Sequence, residues 1–149
     1  MKKRIFLIIL SCLIIILTAG SLLASRFLIG NPFPFDYLTV DDIESVMVNA
    51  FPPDTPKPMS DDEITEMVQL LNSVEVFRRQ RIPRNNLVGQ SVQYNVHKRN
   101  GAQLTIEVIP PWVTINGVEY RSQDSYFELN ELSILANTIL GTPFGRQGD

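Results

Sequence analysis

An uncharged apolar run near the N-terminus constrains this chain more than any other feature of its sequence. Residues Ile5 to Ser25 form 21 consecutive positions without Asp, Glu, Lys or Arg. As an α-helix the run is about 32 Å long, which is enough to cross a bilayer hydrocarbon core of roughly 30 Å. We therefore expect Ile5 to Ser25 to lie in the lipid bilayer and the residues that follow to form a separate domain.

The charges in front of the run predict its orientation. Lys2, Lys3 and Arg4 precede it directly, and basic residues are retained on the cytoplasmic side of a membrane. The expected arrangement is a single-pass protein of the cell membrane, with a cytoplasmic N-terminus and an extracytoplasmic C-terminal domain. Cys12 is the only cysteine, so that domain has no disulfide, which weakly favours a bacterial envelope.

Two other interpretations of the run stay open. Signal cleavage would release a secreted form of the same domain, but the apolar core exceeds the usual length of about 7 to 15 residues and lacks a clean A-x-A site. The segment Ile9-Leu10-Ser11-Cys12 resembles a bacterial lipobox, although lipidation at Cys12 would leave Leu13 to Leu17 without a role. The length of the run and its poor cleavage sites favour an uncleaved anchor.

The composition divides the chain into four parts. We expect a signal-anchor over 1–29, a proline-containing linker over 30–35, one domain over 36–142 and a disordered tail over 143–149. A domain of roughly 107 residues can bury about two thirds of its unfolded surface. The prolines favour an extended linker that holds the domain close to the bilayer. Phe33 and Phe35 are expected at the lipid interface or packed on the domain, and packing is favoured.

Periodicity and capping signals predict the elements of the first half of the domain. Ile43 to Phe51 alternates like a strand, although a helix from Thr39 is also compatible with it. Pro52 to Pro58 is expected to be a loop. Ser60-Asp61-Asp62-Glu63 fits a capping box, and apolar residues at helical spacing follow it to a helix end near Asn72.

Further strands and a second helix are expected in the second half. The strands cover Val74 to Phe77, Val92 to Val96, Leu104 to Val108, Val113 to Ile115 and Val118 to Tyr120. Asn116-Gly117 tolerates the positive φ angles of a type I′ turn, whereas Pro110-Pro111 predicts an edge, a bulge or a sharp bend. Ser125 to Glu128 repeats the capping-box pattern, and Gly141 ends the helix that follows.

The order of these elements predicts the fold class. The sequence β-α-β-β-β-β-β-α contains no repeated βαβ unit, so it favours an α+β fold with a single antiparallel β-sheet. We expect two helices packed on one face of this sheet, preceded by an N-terminal transmembrane helix. The other face would then be left to water or to a partner.

The sequence carries no catalytic or metal-binding signature. His97 is the only histidine and is expected to face solvent on a hairpin, without the partners of a nucleophilic triad. Asp61 to Glu63 suits the first turn of a helix, and Asp41 to Glu44 lacks the ligand spacing of a calcium loop. We therefore expect no catalytic residues, no metal and no cofactor, and a chain that is not an enzyme.

Charge is unevenly distributed along the chain. Without Lys2, Lys3 and Arg4 it carries 10 basic and 16 acidic residues, a net charge of −6 that argues against nucleic-acid binding. Nine acidic residues and one lysine lie from Asp36 to Glu66, whereas six basic residues and no acidic one lie from Arg78 to Arg99. The chain is therefore expected to present distinct acidic and basic surfaces.

Four arginines are the main binding candidates. Arg78, Arg79, Arg81 and Arg84 fall within seven residues, and guanidinium groups bind phosphate and carboxylate. Such groups occur on lipid headgroups, on anionic envelope polymers and on acidic membrane proteins. The competing interpretation is a solvated basic loop that lies near the domain's own acidic segment.

Trp112 is the fifth binding candidate. Together with Tyr94, Tyr120 and Tyr126 it could form an aromatic surface on an open sheet face for a peptide, a glycan or a protein. Its position between prolines and a strand favours a buried or half-buried ring instead.

Three functional hypotheses follow from the sequence. The favoured one is a non-enzymatic binding or accessory module, tethered to the membrane on its extracytoplasmic side, with an anionic envelope component or a membrane protein as its partner. The alternative is a small envelope hydrolase with a carboxylate-based site, which requires two converging acids in a concave pocket. In a third, the transmembrane helix itself makes the functional contacts.

Overall fold

The computed structural model describes residues 33–52, 54–79, 81–82, 90–122 and 124–142, and at positions 78 and 79 it describes the backbone alone. The apolar run Ile5 to Ser25, the lipobox-like Cys12 and the tail 143–149 lie outside these residues. Within them, no helix has both the length and the apolar character needed to cross a membrane.

Two α-helices and seven strands make up the described part of the domain. A short 3₁₀ helix, Val40–Asp42, precedes the first strand. The elements then follow in the order β1 (Ile43–Phe51), β2 (Lys57–Pro58), α1 (Asp61–Asn72), β3 (Val76–Arg79), β4 (Ser91–Lys98), β5 (Gln103–Ile109), β6 (Trp112–Ile115), β7 (Val118–Ser122) and α2 (Tyr126–Leu140).

The strands form one sheet in the order β2-β1-β4-β5-β6-β7-β3, and every neighbouring pair is antiparallel. This confirms the α+β class and the single antiparallel sheet. One local expectation was wrong, because Lys57 and Pro58 form a short strand where a loop was predicted. Proline is tolerated there because β2 lies at the edge of the sheet, where its missing N–H breaks no interior ladder.

The hydrophobic core lies between one face of the sheet and the two helices. Alternate residues of the central strands are buried in it, such as Val46, Val48 and Ala50 of β1. Tyr94 on β4 and Ile106 on β5 are fully buried in the same cluster. Both helices contribute buried side chains to this cluster, so the core is continuous from the sheet through the helical layer.

Helix α1 begins as the sequence predicts. Ser60 is its N-cap, and the Glu63 carboxylate accepts a hydrogen bond from the Ser60 amide at 2.6 Å while the Ser60 hydroxyl accepts one from the Glu63 amide. This reciprocal pair is the capping box. The buried side of α1 carries the apolar residues at helical spacing, namely Ile64, Met67, Val68 and Leu71.

Helix α2 begins differently from the prediction. Ser125 is its N-cap residue, but its side chain makes no capping hydrogen bond to α2. Its hydroxyl instead accepts a hydrogen bond from the Glu75 amide at 2.7 Å, which ties the start of α2 to the connection between α1 and β3. Local sequence cannot show this, because the competing partner lies 50 residues away. The helix ends as expected at Gly141, whose φ of 69° is left-handed.

The turns of the second half match their sequence signals. Asn116 and Gly117 have φ angles of 48° and 80°, which suit a two-residue hairpin between β6 and β7. Pro110-Pro111 reverses the chain so that Ile109 pairs with Trp112 across the bend. These two reversals set the register of β5, β6 and β7.

The chain forms turns where the predicted linker meets the domain, and residues 30–32 of that linker lie outside the described residues. Residues 34–37 form turns, with the Leu38 amide donating to the Phe35 carbonyl at 2.8 Å. Phe35 and Leu38 are each only 1% exposed and belong to the core, whereas Phe33 is 42% exposed. The expected packing of the linker aromatics on the domain therefore applies to Phe35.

Candidate functional site: an arginine cluster on the outer face of the sheet

The face of the sheet opposite the helices, here called the outer face, is largely polar. Directly opposite residues of antiparallel strands share a face, and one row across the outer face contains Asn49, Gln93, Glu107, Thr114 and Glu119. Alternate positions of the same strands face the core, so this row follows from the strict two-residue period of a strand.

The outer face is partly covered by the chain that leaves β3. The Ile82 amide donates to the Glu119 carboxylate at 2.9 Å, and Ile82 itself is only 7% exposed. The connection from β3 to β4 therefore begins on the outer face. The sequence predicted that this face is open to water or a partner. It did not predict that the connection from β3 to β4 runs onto this face, because it did not show that β3 and β4 are not adjacent in the sheet.

Trp112 is buried on the outer face rather than in the main core. Its side chain is 7% exposed, and its strand neighbour Val113 points into the core from the other face. The guanidinium carbon of Arg121 lies 5.8 Å from the centre of the Trp112 ring, within the range of a cation–π interaction. Trp112 is thus a largely buried neighbour of Arg121, and little of its own ring is exposed.

The structure describes the four predicted arginines to different extents. Backbone register places position 78 opposite Arg121 and position 79 opposite Tyr120. Arg81 is exposed and directly precedes Ile82, whose amide is bonded to Glu119 two residues from Arg121. Arg84 lies outside the described residues. The structure therefore brings Arg81 and Arg121 to the same region, next to the backbone of position 78.

Arg121 is the site residue that sequence reasoning missed. The signal was present, because a two-residue turn at Asn116-Gly117 pairs Ile115 with Val118 and, three residues further out, Trp112 with Arg121. Counting back from the turn would have identified the pair. Arg121 escaped notice because it lies far along the chain from Arg78 to Arg84.

The acidic segment lies at the opposite edge of the sheet from the arginines. Glu44 belongs to β1, and the amide of Met59 just before the acidic start of α1 donates to the Val46 carbonyl of β1 at 3.0 Å. Strands β4, β5, β6 and β7 separate β1 from β3. Position 78 and Arg121 are therefore separated from β1, whereas the loop that contains Arg84 lies outside the described residues and leads to Gln90, whose side chain donates to the Pro52 carbonyl of the acidic segment.

The aromatic surface considered from the sequence is not assembled. Tyr94 is buried in the core, where its hydroxyl donates to the Leu132 carbonyl at 2.5 Å, and burial raises the pKa of this phenol far above its ordinary range. Tyr120 packs at the edge of the core, whereas Tyr126 is 59% exposed on α2. Trp112 occupies the other face of the sheet, so the four rings do not form one surface.

The other polar groups of the described residues are spread over the sheet. His97 lies opposite Ser45 and Gln103 near one end of the sheet. Glu107 and Glu119 share the outer face with Thr114 between them, and Glu119 already accepts the Ile82 amide. Among the described residues, no three His, Cys, Asp or Glu side chains are grouped as a metal site requires.

Comparison of this chain with protein-family models, with curated proteins and with solved structures gives no match. Its function has to be argued from the outer-face site itself. Arg121, whose guanidinium carbon lies 5.8 Å from the centre of the Trp112 ring, and the exposed Arg81 carry planar hydrogen-bond donors of the kind that bind a carboxylate or a phosphate through two parallel bonds.

Proposed function

We propose that this chain is a non-enzymatic binding module of the extracytoplasmic space, tethered to the cell membrane by Ile5 to Ser25. Its recognition surface is the outer-face arginine site, which consists of Arg81, Arg121 on Trp112, and the adjoining position Arg78. Its ligand is a carboxylate or phosphate group on an envelope component or a membrane protein. The tether increases the local concentration of this site for ligands of the same membrane.

The observation that carries the proposal is the cation–π contact of Arg121, whose guanidinium carbon lies 5.8 Å from the centre of the buried Trp112 ring. A surface arginine normally loses considerable side-chain entropy when it binds a ligand. The cation–π contact with the indole restricts Arg121 before binding, so less entropy is lost when an anion binds.

The test is partner recovery by crosslinking in native membranes. We expect the double substitution Arg81→Glu and Arg121→Glu to weaken binding by about 100-fold or more, because each charge-assisted hydrogen bond contributes about 1.5–3 kcal/mol. Adding charge reversal at Arg78, Arg79 and Arg84 tests the whole set of arginines suggested by the sequence. Unchanged recovery of the same partner by these variants would refute the proposal.

The matched control is the double substitution Arg81→Lys and Arg121→Lys. Lysine keeps the charge but loses the planar pair of donors, so binding should weaken by only about tenfold if the anion is bound bidentately. Equal binding by the lysine variant and the parent would mean that charge alone attracts the ligand. A photoreactive residue at Asp62, on the acidic side, reports background capture.

A further inference from the structure

Three aromatic side chains are strongly exposed around one end of α1. Tyr37 is 64% exposed, Tyr126 is 59% exposed and Phe127 is 67% exposed, and we call these three residues the aromatic rim. Single exposed apolar residues are common on protein surfaces, but a group of large rings marks a contact surface.

Hydrogen bonds place the three rings around the C-terminal end of α1. The Asn72 side chain donates to the carbonyl of Leu38, the neighbour of Tyr37, at 3.3 Å. Three residues after Asn72, the Glu75 amide donates to the hydroxyl of Ser125, which directly precedes Tyr126 and Phe127. The residues next to the three rings are therefore bonded to the end of α1 and to the short connection that follows it.

The chemistry of the rim suits the boundary between lipid and water. Tyrosine combines an apolar ring with a polar tip, and it is enriched at both membrane interfaces. The Lys98 ammonium lies 5.6 Å from the centre of the Tyr37 ring, where a cation can reach headgroup phosphates while its stem stays on apolar surface. The exposed carboxylates of Asp36 and Asp124 offset this charge, so the rim has no excess of cations for anionic lipid.

The length of the connecting chain limits what can cover the rim. Seven residues separate Ser25 from Phe33, and they span at most about 25 Å. Tyr37 lies only four residues further on. If Ile5 to Ser25 cross a bilayer, this entry point of the domain cannot move far from the same membrane surface.

We infer that the aromatic rim is the membrane-facing surface of the domain and inserts into the interfacial region of the bilayer. The inference rests on the proposed tether and adds an orientation to it. The contact is made by apolar rings with zwitterionic lipid and is insensitive to salt, because charge contributes little to it.

The experiment uses the full chain with Cys12→Ser, reconstituted at one molecule per phosphatidylcholine nanodisc. A nitroxide label is attached at Phe127→Cys on α2 or, as the control, at Asp62→Cys, which lies at the N-terminal end of α1, about 15 Å along that helix from Asn72. Collision with oxygen, which concentrates in lipid, is compared with collision with a water-soluble nickel chelate. We expect the label at position 127 to favour oxygen and the label at position 62 to favour nickel.

A second variant tests the remaining rings. Tyr37→Ser with Tyr126→Ser should raise nickel access of the label at position 127 severalfold. The matched control is Ile134→Ser, which removes an exposed apolar side chain on the same helix, about 12 Å from Tyr126. This control should leave the label in lipid.

The outcomes separate the orientation from the tether. A label at position 127 that favours nickel in a chain that resists alkaline carbonate extraction overturns the orientation and leaves the tether intact. A label shielded from both reagents shows a protein contact and also overturns it. Release of the chain by carbonate refutes the tether and with it the inference.

Discussion

At the residue scale, Trp112 and Arg121 lie opposite each other on neighbouring strands but differ in burial. Trp112 is 7% exposed and supports the outer face, whereas Arg121 is exposed above it. Removing the ring leaves a cavity, but removing the guanidinium loses only an exposed cation–π contact. The two substitutions should therefore affect stability very differently.

We predict that Trp112→Ala lowers the free energy of unfolding by about 3–5 kcal/mol, and that Arg121→Ala lowers it by about 1 kcal/mol or less. Urea denaturation of both variants measures this difference. Arg121→Lys is the control that retains a cation over the ring. Equal losses for Trp112→Ala and Arg121→Ala would mean that the ring is not a buried platform.

The Tyr94 phenol gives a prediction of pH dependence. Burial raises its pKa in the folded state above the ordinary value of 10.0, so the folded protein disfavours the phenolate. Its contribution to stability is complete below about pH 10 and is lost as the pH rises beyond it, by up to about 1.4 kcal/mol per pH unit. We expect Tyr94→Phe to flatten this alkaline loss, as measured by denaturation between about pH 9 and 11.

The same substitution removes the hydrogen bond to Leu132, which should cost about 1 kcal/mol at neutral pH. Tyr126→Phe is the control, because the Tyr126 ring is exposed. An equally steep alkaline loss in Tyr94→Phe and in the parent would contradict the assignment to Tyr94.

At the scale of elements, local signals predicted what local contacts decide. The capping box of α1 and the turn at Asn116-Gly117 involve residues within three positions of each other, so their sequence patterns identify them reliably. The start of α2 shows the limit, because Ser125 carries the same pattern but its hydroxyl bonds with Glu75. The distant Glu75 amide competes with the first amides of α2 for the Ser125 hydroxyl. The packing of α2 against the connection before β3 decides which amide binds it.

We predict that Ser60→Ala and Ser125→Ala destabilise the domain for different reasons. Ser60→Ala loses a cap at an exposed helix start and should cost about 1 kcal/mol. Ser125 is 3% exposed, and its loss leaves the Glu75 amide without this acceptor, which should cost about 1–3 kcal/mol. Thermal denaturation compares the two variants.

Hydrogen exchange at the Glu75 amide distinguishes the two roles. It should accelerate in Ser125→Ala and remain as in the parent in Ser60→Ala. Protection of Glu75 that survives Ser125→Ala would show that the hydroxyl is not its essential partner.

At the scale of the whole molecule, the acidic segment and the basic strand β3 lie far apart in the sheet as well as in separate parts of the chain. The acidic segment lies with β1 and α1 at one edge of the sheet, and position 78 lies on β3 at the other. Strands β4 to β7 lie between them. Arg121 is thus separated from the carboxylates of β1 and α1, whereas Glu107 and Glu119 share the outer face with it, and Glu119 bonds with Ile82.

For the tether, we predict that the full chain stays in the membrane fraction after alkaline carbonate extraction and that its mature form retains residues 1–25. The reason is an apolar run of membrane-spanning length without a clean cleavage site. Mass analysis of the mature N-terminus measures this. Replacing Ile5 to Ser25 with an unrelated anchor is the control, and it should preserve partner recovery if the run acts only as a tether.

The sequence alone determined the α+β class, the positions of most elements and the division between an apolar N-terminal run and a polar domain. Periodicity, caps and tight turns act over a few residues, so they can be read along the chain. Only the tertiary structure showed that Arg121 contacts Trp112 and that the Ser125 hydroxyl accepts a hydrogen bond from the Glu75 amide. It also showed that Ile82 lies on the outer face. Each of these depends on which strands become neighbours, and strand order is decided by packing of the whole core rather than by any local signal.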